Sequence, residues 1–295
     1  MFLEREAILK KLHELDSSVC GSGGKIVFIS GEAGIGKTTL IDHFLSGLEP
    51  DRRRAVGLCD PLHTPRPLGP VQDLAFQLFD TNEAAAREDA YFDGFAQKLE
   101  AFGTPAVLVM EDLHWVDDRT LDWLKFIGRR LAALPVLMIC SYRDDEVDAG
   151  HSLRSAMGHI PAASKVQIPL SPLSLDAVRQ FGADNGLAAE KILEITGGNP
   201  FFLTEIAAET LDAGQIPNSV ADALNARLNQ LTDPAVHFIE ILSCWPGLIP
   251  SRSLRVLPAD VVEAGMEAAF RRRFLIEVEG GFKFRHELMR HAAYG

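Results

Sequence analysis

Lys25-Ile-Val-Phe-Ile-Ser-Gly-Glu-Ala-Gly-Ile-Gly-Lys-Thr-Thr-Leu40 is an apolar run leading into a turn with glycine at 31, 34 and 36, followed by a helical stripe of Leu40, Ile41, Phe44 and Leu45. The arrangement is strand, glycine-rich turn, helix, in the pattern GxxxxGK(S/T). Phosphate oxygens must be met by several backbone N–H groups at once, and a turn built from Gly31, Gly34, Ile35 and Gly36 brings the main chain close enough to do so. The helix that follows aims its positive end at the same anion. Lys37 is placed to reach the β- and γ-phosphates, Thr38 to hold Mg²⁺ through its hydroxyl, and Thr39 to meet the α-phosphate. The expected ligand is a nucleoside triphosphate with Mg²⁺.

Outward from this stretch, composition narrows the class. A chain of 295 residues exceeds what one core organises, so two or three subdomains are expected. The longest apolar run, Leu131 to Cys140, contains a proline and suits a buried strand rather than a membrane span. The start, Met1-Phe-Leu-Glu-Arg-Glu6, lacks a basic n-region followed by an apolar h-region, so the cytoplasm is the expected compartment. Cysteines at 20, 59, 140 and 244 form no CxxC pair and read as buried reduced thiols. A net charge of −12 disfavours DNA or an anionic membrane as a partner, and the short basic clusters Arg52–Arg54 and Arg271–Arg273 read as solvated faces.

Along the chain, residues 1–16 carry helical spacing and lead into a loop at Gly21–Gly24. Ala55–Cys59 reads as a second strand, and the proline-rich Asp60–Pro70 as a stiff loop over the strand ends. Helices follow at about 69–79 and 84–102. Residues 105–112, Pro-Ala-Val-Leu-Val-Met-Glu-Asp, are an apolar run ending in two acids, the way a strand buried on both faces delivers carboxylates to its C-terminal edge. It resembles a Walker B motif. Glu111 can supply an oxygen to Mg²⁺ and Asp112 can orient a hydrolytic water, with the division of labour between them open. His114 and Trp115 read as packing of the next turn against a helix bearing Leu121, Leu124, Ile127 and Leu131, with a functional role as the other reading. The strand Val136–Ser141 ends at Arg143, which is either a γ-phosphate sensor or one half of a surface salt bridge. Val166, Ile168 and Leu170 alternate as an edge strand. Beyond residue 172 strands give way to helices: Ser174 caps one bearing Leu175, Val178 and Phe181, and further helices run at about 188–196, 201–213 and 217–231. Helices near 233–245 and 259–273 then precede a hairpin of Leu275–Val278 and Phe282–Phe284 around Glu279-Gly-Gly281, a winged-helix pattern. Glu263 and Glu267 on the helix before the wing oppose DNA contact.

Together, Leu3-Glu-Arg-Glu6, Gly31–Thr38, Thr64-Pro-Arg-Pro-Leu-Gly-Pro70, Glu111-Asp-Leu-His-Trp115, Ser141-Tyr-Arg-Asp-Asp145, Gly198-Asn-Pro-Phe-Phe202 and Phe284-Arg-His286 resemble the ATPase module of the large LuxR-type transcription regulators, within the STAND relatives of AAA+ proteins. The resemblance implies a switch, closed with ADP, and opened by ATP and an inducer of unknown identity for self-association. It implies that Arg5 flanks the adenine, that Pro200 touches the nucleotide from a helical lid, and that His286 reaches the ADP phosphate. The family's sensor repeats and C-terminal helix-turn-helix are not among these residues, and Glu4 stands where the family commonly has glycine.

The expected fold is therefore α/β: a P-loop NTPase of ASCE/AAA+ type with a parallel sheet covered on both faces (1–172), a helical lid (173–231) and a winged-helix-like subdomain (232–295). The expected function is an ATP-binding, slowly hydrolysing signalling switch in which Lys37, Glu111, Asp112 and Arg143 carry the chemistry. The alternatives are a continuously cycling AAA+ motor and a non-hydrolysing ADP-bound scaffold.

Overall fold

The computed structural model describes residues 3–62, 65–79, 88–182, 189–208 and 218–294. The chain divides into two compact units, Met1–Ser171 and Pro172–Gly295. The first runs α1 (Glu6–Ser22), β1 (Lys25–Ser30), α2 (Lys37–Ser46), β2 (Arg53–Leu58), α3 (Gly69–Phe79), α4 (Glu88–Ala101), β3 (Ala106–Glu111), α5 (Asp118–Arg130), β4 (Val136–Tyr142), α6 (Ser152–Gly158) and β5 (Lys165–Pro169). Its five strands form one sheet in the order β2-β3-β4-β1-β5, every pair parallel.

Alternation along the strands explains the layers. Ile26, Phe28, Leu108, Met110, Met138 and Cys140 face one way and pack with α3, α4, α5 and α6 side chains such as Leu74, Leu99, Trp123, Leu124 and Leu153. Val27, Ile29, Val107, Val109, Leu137 and Ile139 face the other way, toward Leu12, Val19, Leu40, Ile41 and Phe44 of α1 and α2. A strand buried on both faces needs apolar residues at every position, which is why β1, β3 and β4 read as unbroken runs. Each such side chain contributes about 1.5–3 kcal/mol when fully buried.

Topology positions the site. β4 lies between β1 and β3, with Ser30 opposite Tyr142 and Met110 opposite Cys140. The loops leaving β1, β3 and β4 therefore share the C-terminal edge of the sheet, where open parallel sheets place their ligands.

Several boundaries differ from the sequence expectation. α1 continues through Gly21 to Ser22, because Gly21 meets nothing while Gly23 breaks the helix: a Cβ there would sit 2.3 Å from the Ala132 carbonyl oxygen. The apolar run 131–140 is divided, with a 3₁₀ turn at Leu131–Ala133 and β4 starting after Pro135. β2 starts at Arg53, two residues before the expected strand, because its pairing with β3 begins at Arg53 opposite Ala106. Cys59 and Cys140 are buried thiols, but Cys244 is exposed at the C-terminus of its helix, which corrects the expectation of burial. The start of the helix expected at 84–102, the end of that expected at 201–213, and Thr64 of the proline-rich loop lie outside the described residues.

The second unit contains α7 (Leu175–Gly182), α8 (Ala189–Thr196), α9 (Pro200–Ala208), α10 (Asn218–Leu228), α11 (Asp233–Ser243), β6 (Ile249–Pro250), α12 (Ala259–Arg271), β7 (Leu275–Val278), β8 (Gly281–Phe284) and α13 (Glu287–Tyr294). β6, β8 and β7 form an antiparallel sheet in that order. Phe202, Val220, Leu224, Phe238, Leu242, Phe274, Phe284 and Met289 supply its own core.

Candidate functional site

The loop after β1 carries Gly34 and Gly36 at φ +76° and +94°, where L-residues with a Cβ are strained. A Cβ on Gly36 would meet nothing, so the loop faces open space at the point where α2 begins. No side chain caps α2. The first-turn N–H groups of a helix have no partner within it, so the end is left as an anion-binding surface. Lys37 is buried, and its ammonium donates to the carbonyls of Gly31 (2.8 Å) and Glu32 (2.9 Å), curling the loop around it. Burial lowers its pKa, as does the charge of Arg143; Asp112, Asp145 and Asp144 act the other way. The ends of β3 and β4 thus share one electrostatic field with the loop lysine.

Thr38 and Glu111 meet directly, although 73 residues separate them: the hydroxyl donates to Glu111 Oε2 at 2.6 Å. Glu111 is buried, and burial raises its pKa above the ordinary value, with the Thr38 hydrogen bond opposing. Asp112, at φ +58°, turns the chain out of β3, and its N–H donates to Ser141 Oγ on β4 at 3.1 Å. Its carboxylate is partly exposed.

These groups fit a magnesium nucleotide. Two adjacent hard oxygens, on Thr38 and Glu111, are the protein donors that Mg²⁺ takes when phosphates and water complete its shell. Among the described residues no cluster of three or more His, Cys, Asp or Glu offers a cage of its own.

Arg143 stands at the end of β4, where its Nη1 donates to Glu146 Oε1 at 2.8 Å and its guanidinium lies 5.0 Å from the Trp115 ring centroid. Arg5 is buried at the N-terminus of α1 and donates to the Ser171 carbonyl at 2.7 Å and, at 3.5 Å, to that of Ile35 in the glycine loop. Burial lowers its pKa. Glu4 before it adopts φ +56°, a conformation that costs glycine nothing. Thr39, in the first turn of α2, is at the same helix end.

In the second unit, Pro200 opens α9 after the Gly197-Gly198-Asn199 turn, and His286 is buried against that turn. A Cβ on Gly197, at φ +61°, would lie 2.1 Å from His286 Nδ1, and the ring stands edge-on to Phe202 at 5.5 Å. Two motifs more than eighty residues apart thereby form one cluster.

The sequence reads His114 as packing, with a functional role as the other reading, and singles out neither Ser141 nor Glu146. His114 has a fully buried side chain whose Nδ1 accepts the Arg143 N–H at 3.4 Å. Burial, and then the charges of Arg143, Lys37 and His151, push its pKa down to about 3. The i,i+3 spacing of Arg143 and Glu146 was the one signal available in the sequence for their pairing.

Residues 1–139 match the family model described as the AAA ATPase domain. An uncharacterized protein of Rhizobium meliloti (strain 1021) is 24% identical, over 99% of this chain and 35% of its own length, so the chain spans about a third of that curated relative. A Walker-type ATPase of Pyrococcus abyssi superposes with a TM-score of 0.63 at 13% identity, covering 99% of this chain and 96% of that one. Cdc6p from Pyrobaculum aerophilum does so with a TM-score of 0.53 at 14% identity, over 99% and 93%. At these identities the likeness is one of fold, that of the P-loop ATPases. Among the described residues no helix is long and apolar enough to cross a membrane.

Proposed function

We propose that this chain, whose first 139 residues match the AAA ATPase domain, is the nucleotide-dependent switch of a signal-transduction ATPase acting in transcription regulation. The observation that carries the reading is the Thr38–Glu111 pair at 2.6 Å beside the buried Lys37, at an uncapped helix N-terminus. In this reading Lys37 leaves the loop carbonyls for the β- and γ-phosphates, Thr38 and Glu111 hold the cation, and Asp112 orients a water. Bound Mg²⁺ supplies charge neutralisation for the phosphates. Arg5 sits against the base. Hydrolysis is slow in this reading, and Arg143 at the end of β4 reports the γ-phosphate.

The second unit serves as lid and winged-helix-like part, Pro200 and His286 contacting the ADP form and releasing the ATP form for self-association under an inducer. The order of motifs through Phe284-Arg-His286 supports this, as does the joint placement of Pro200's turn and His286 in one cluster. No DNA contact is assigned to these residues, in keeping with the net charge of −12.

The test is the nucleotide carried by the purified protein, released by denaturation and separated, beside a Lys37→Ala variant. Stoichiometric ADP in the wild type and none in the variant is the expected result. An empty wild-type site that turns over ATP rapidly, faster at higher protein concentration, would replace the switch with a cycling motor.

A further inference from the structure

Around Arg143, the candidate γ-phosphate sensor, one cluster at the C-terminal edge of the sheet brings together His114, Trp115 and Glu146, none of which has yet been given a part toward the nucleotide. The Arg143–Glu146 pair spans 2.8 Å with side chains only 23% and 13% exposed, so either charge left alone there is poorly solvated. The main chain is fixed separately, because the Arg143 N–H donates to His114 Nδ1. A ring nitrogen that accepts places the imidazole proton on the other nitrogen, Nε2. His114 Nε2 is buried without a hydrogen-bond partner, and Glu146 Oε2 lies 3.9 Å from it. Glu146 therefore stands between two donors, one closed on it and one held just short. Because His114 is neutral, its N–H is a dipole and not a rival cation. Arg143 is also close enough for its charge to act on Lys37.

We propose that Glu146 is a specificity-determining residue: it holds Arg143 in a resting ion pair that a nucleoside triphosphate must break and a diphosphate leaves intact, with His114 the donor that receives Glu146 when Arg143 departs. The γ-phosphate is a second anion competing for one guanidinium, and the tether through His114 Nδ1 confines the exchange to the side chain. Discrimination between tri- and diphosphate is then set by the carboxylate as much as by the arginine. This rests on the nucleotide-switch reading.

Calorimetric titration of the full chain, first freed of any nucleotide it carries, with ADP and with a non-hydrolysable ATP analogue, each with Mg²⁺, tests it in the wild type, Glu146→Gln, Arg143→Ala and the double variant. Glu146→Gln is expected to raise triphosphate affinity relative to diphosphate by about tenfold. The gain is expected to vanish when Arg143 is absent, a coupling that a general loss of structure does not produce. Glu146→Asp keeps the charge but shortens its reach, and shifts the ratio the same way by a smaller factor. His114→Phe keeps a ring without the donor and shifts it the opposite way. An unchanged ratio in both Glu146 variants, or a gain that persists without Arg143, overturns the proposal, and a His114→Phe shift toward triphosphate overturns the role given to His114. A wild type that binds neither nucleotide overturns the underlying reading instead.

Discussion

Glu111 shows what a binding site costs its own fold. Its carboxyl is buried, and its pKa stands above the ordinary 4.5 because burial outweighs the hydrogen bond from Thr38. A carboxyl with a raised folded pKa binds its proton more tightly in the native state. Its contribution to stability is complete below the unfolded value and is lost as pH rises through the raised one. Ionisation of Glu111 above its raised value is thus a net burden on the fold unless a cation arrives. Glu111→Gln keeps the acceptor for Thr38 and removes the charge, so nucleotide-free protein is expected to melt a few degrees higher at pH 7. That difference closes below about pH 4, where both side chains are neutral. Scanning calorimetry at the two pH values checks it, and a lower Tm for the variant at pH 7 would contradict the account. The place of Lys37, Thr38 and Glu111 at one edge of the sheet could be read from sequence because motif and flanking strand coincide. That Glu111 rather than Asp112 bonds to Thr38 could not, since neighbouring residues of a strand end point to opposite sides and only the fold says which side faces α2.

At the scale of elements, the edge strand β2 solves a problem that its sequence does not announce. An edge exposes backbone groups to any other strand. Here Gln77 on α3 accepts the Val56 N–H at 3.0 Å and donates to the Val56 carbonyl at 2.7 Å, its carboxamide standing in for a neighbouring peptide group. Gln77→Ala is expected to cost about 1 kcal/mol in urea denaturation and to increase self-association by light scattering; unchanged scattering would show that the edge is protected otherwise. In the second unit the Gly197 turn depends equally on a distant partner. Alanine there must adopt φ +61° and displace His286, so Gly197→Ala is expected to cost roughly 2–4 kcal/mol. Thermal melts followed by fluorescence would test this, a cost within 0.5 kcal/mol of wild type, roughly that of an ordinary surface change, ruling it out. A Gly-Gly dipeptide marks a turn in any sequence; the exclusion of a Cβ at Gly197 cannot be read locally, because the ring that excludes it comes from residue 286.

For the molecule as a whole, the two units have separate cores, one α/β and one of helices with a small antiparallel sheet. The switch reading expects nucleotide to act on both. Hydrogen exchange in ADP against the non-hydrolysable ATP analogue is expected to differ by several-fold at amides 196–202 and 285–289, while β3 and β4 remain unchanged; identical exchange at those amides would remove the second unit from the switch. The sequence by itself determined the parallel sheet, the phosphate loop and the pair of acids. Those signals are local: alternation absent from a strand buried on both faces, glycines at fixed spacing, carboxylates at a strand end. Only the tertiary structure decided which residues meet across long separations: Thr38 with Glu111, His114 with Arg143 and Glu146, Gly197 with His286. The first two pairings depend on strand order and register, on β4 entering between β1 and β3, and the third on α13 packing against α8; no local pattern of residues encodes which element becomes whose neighbour.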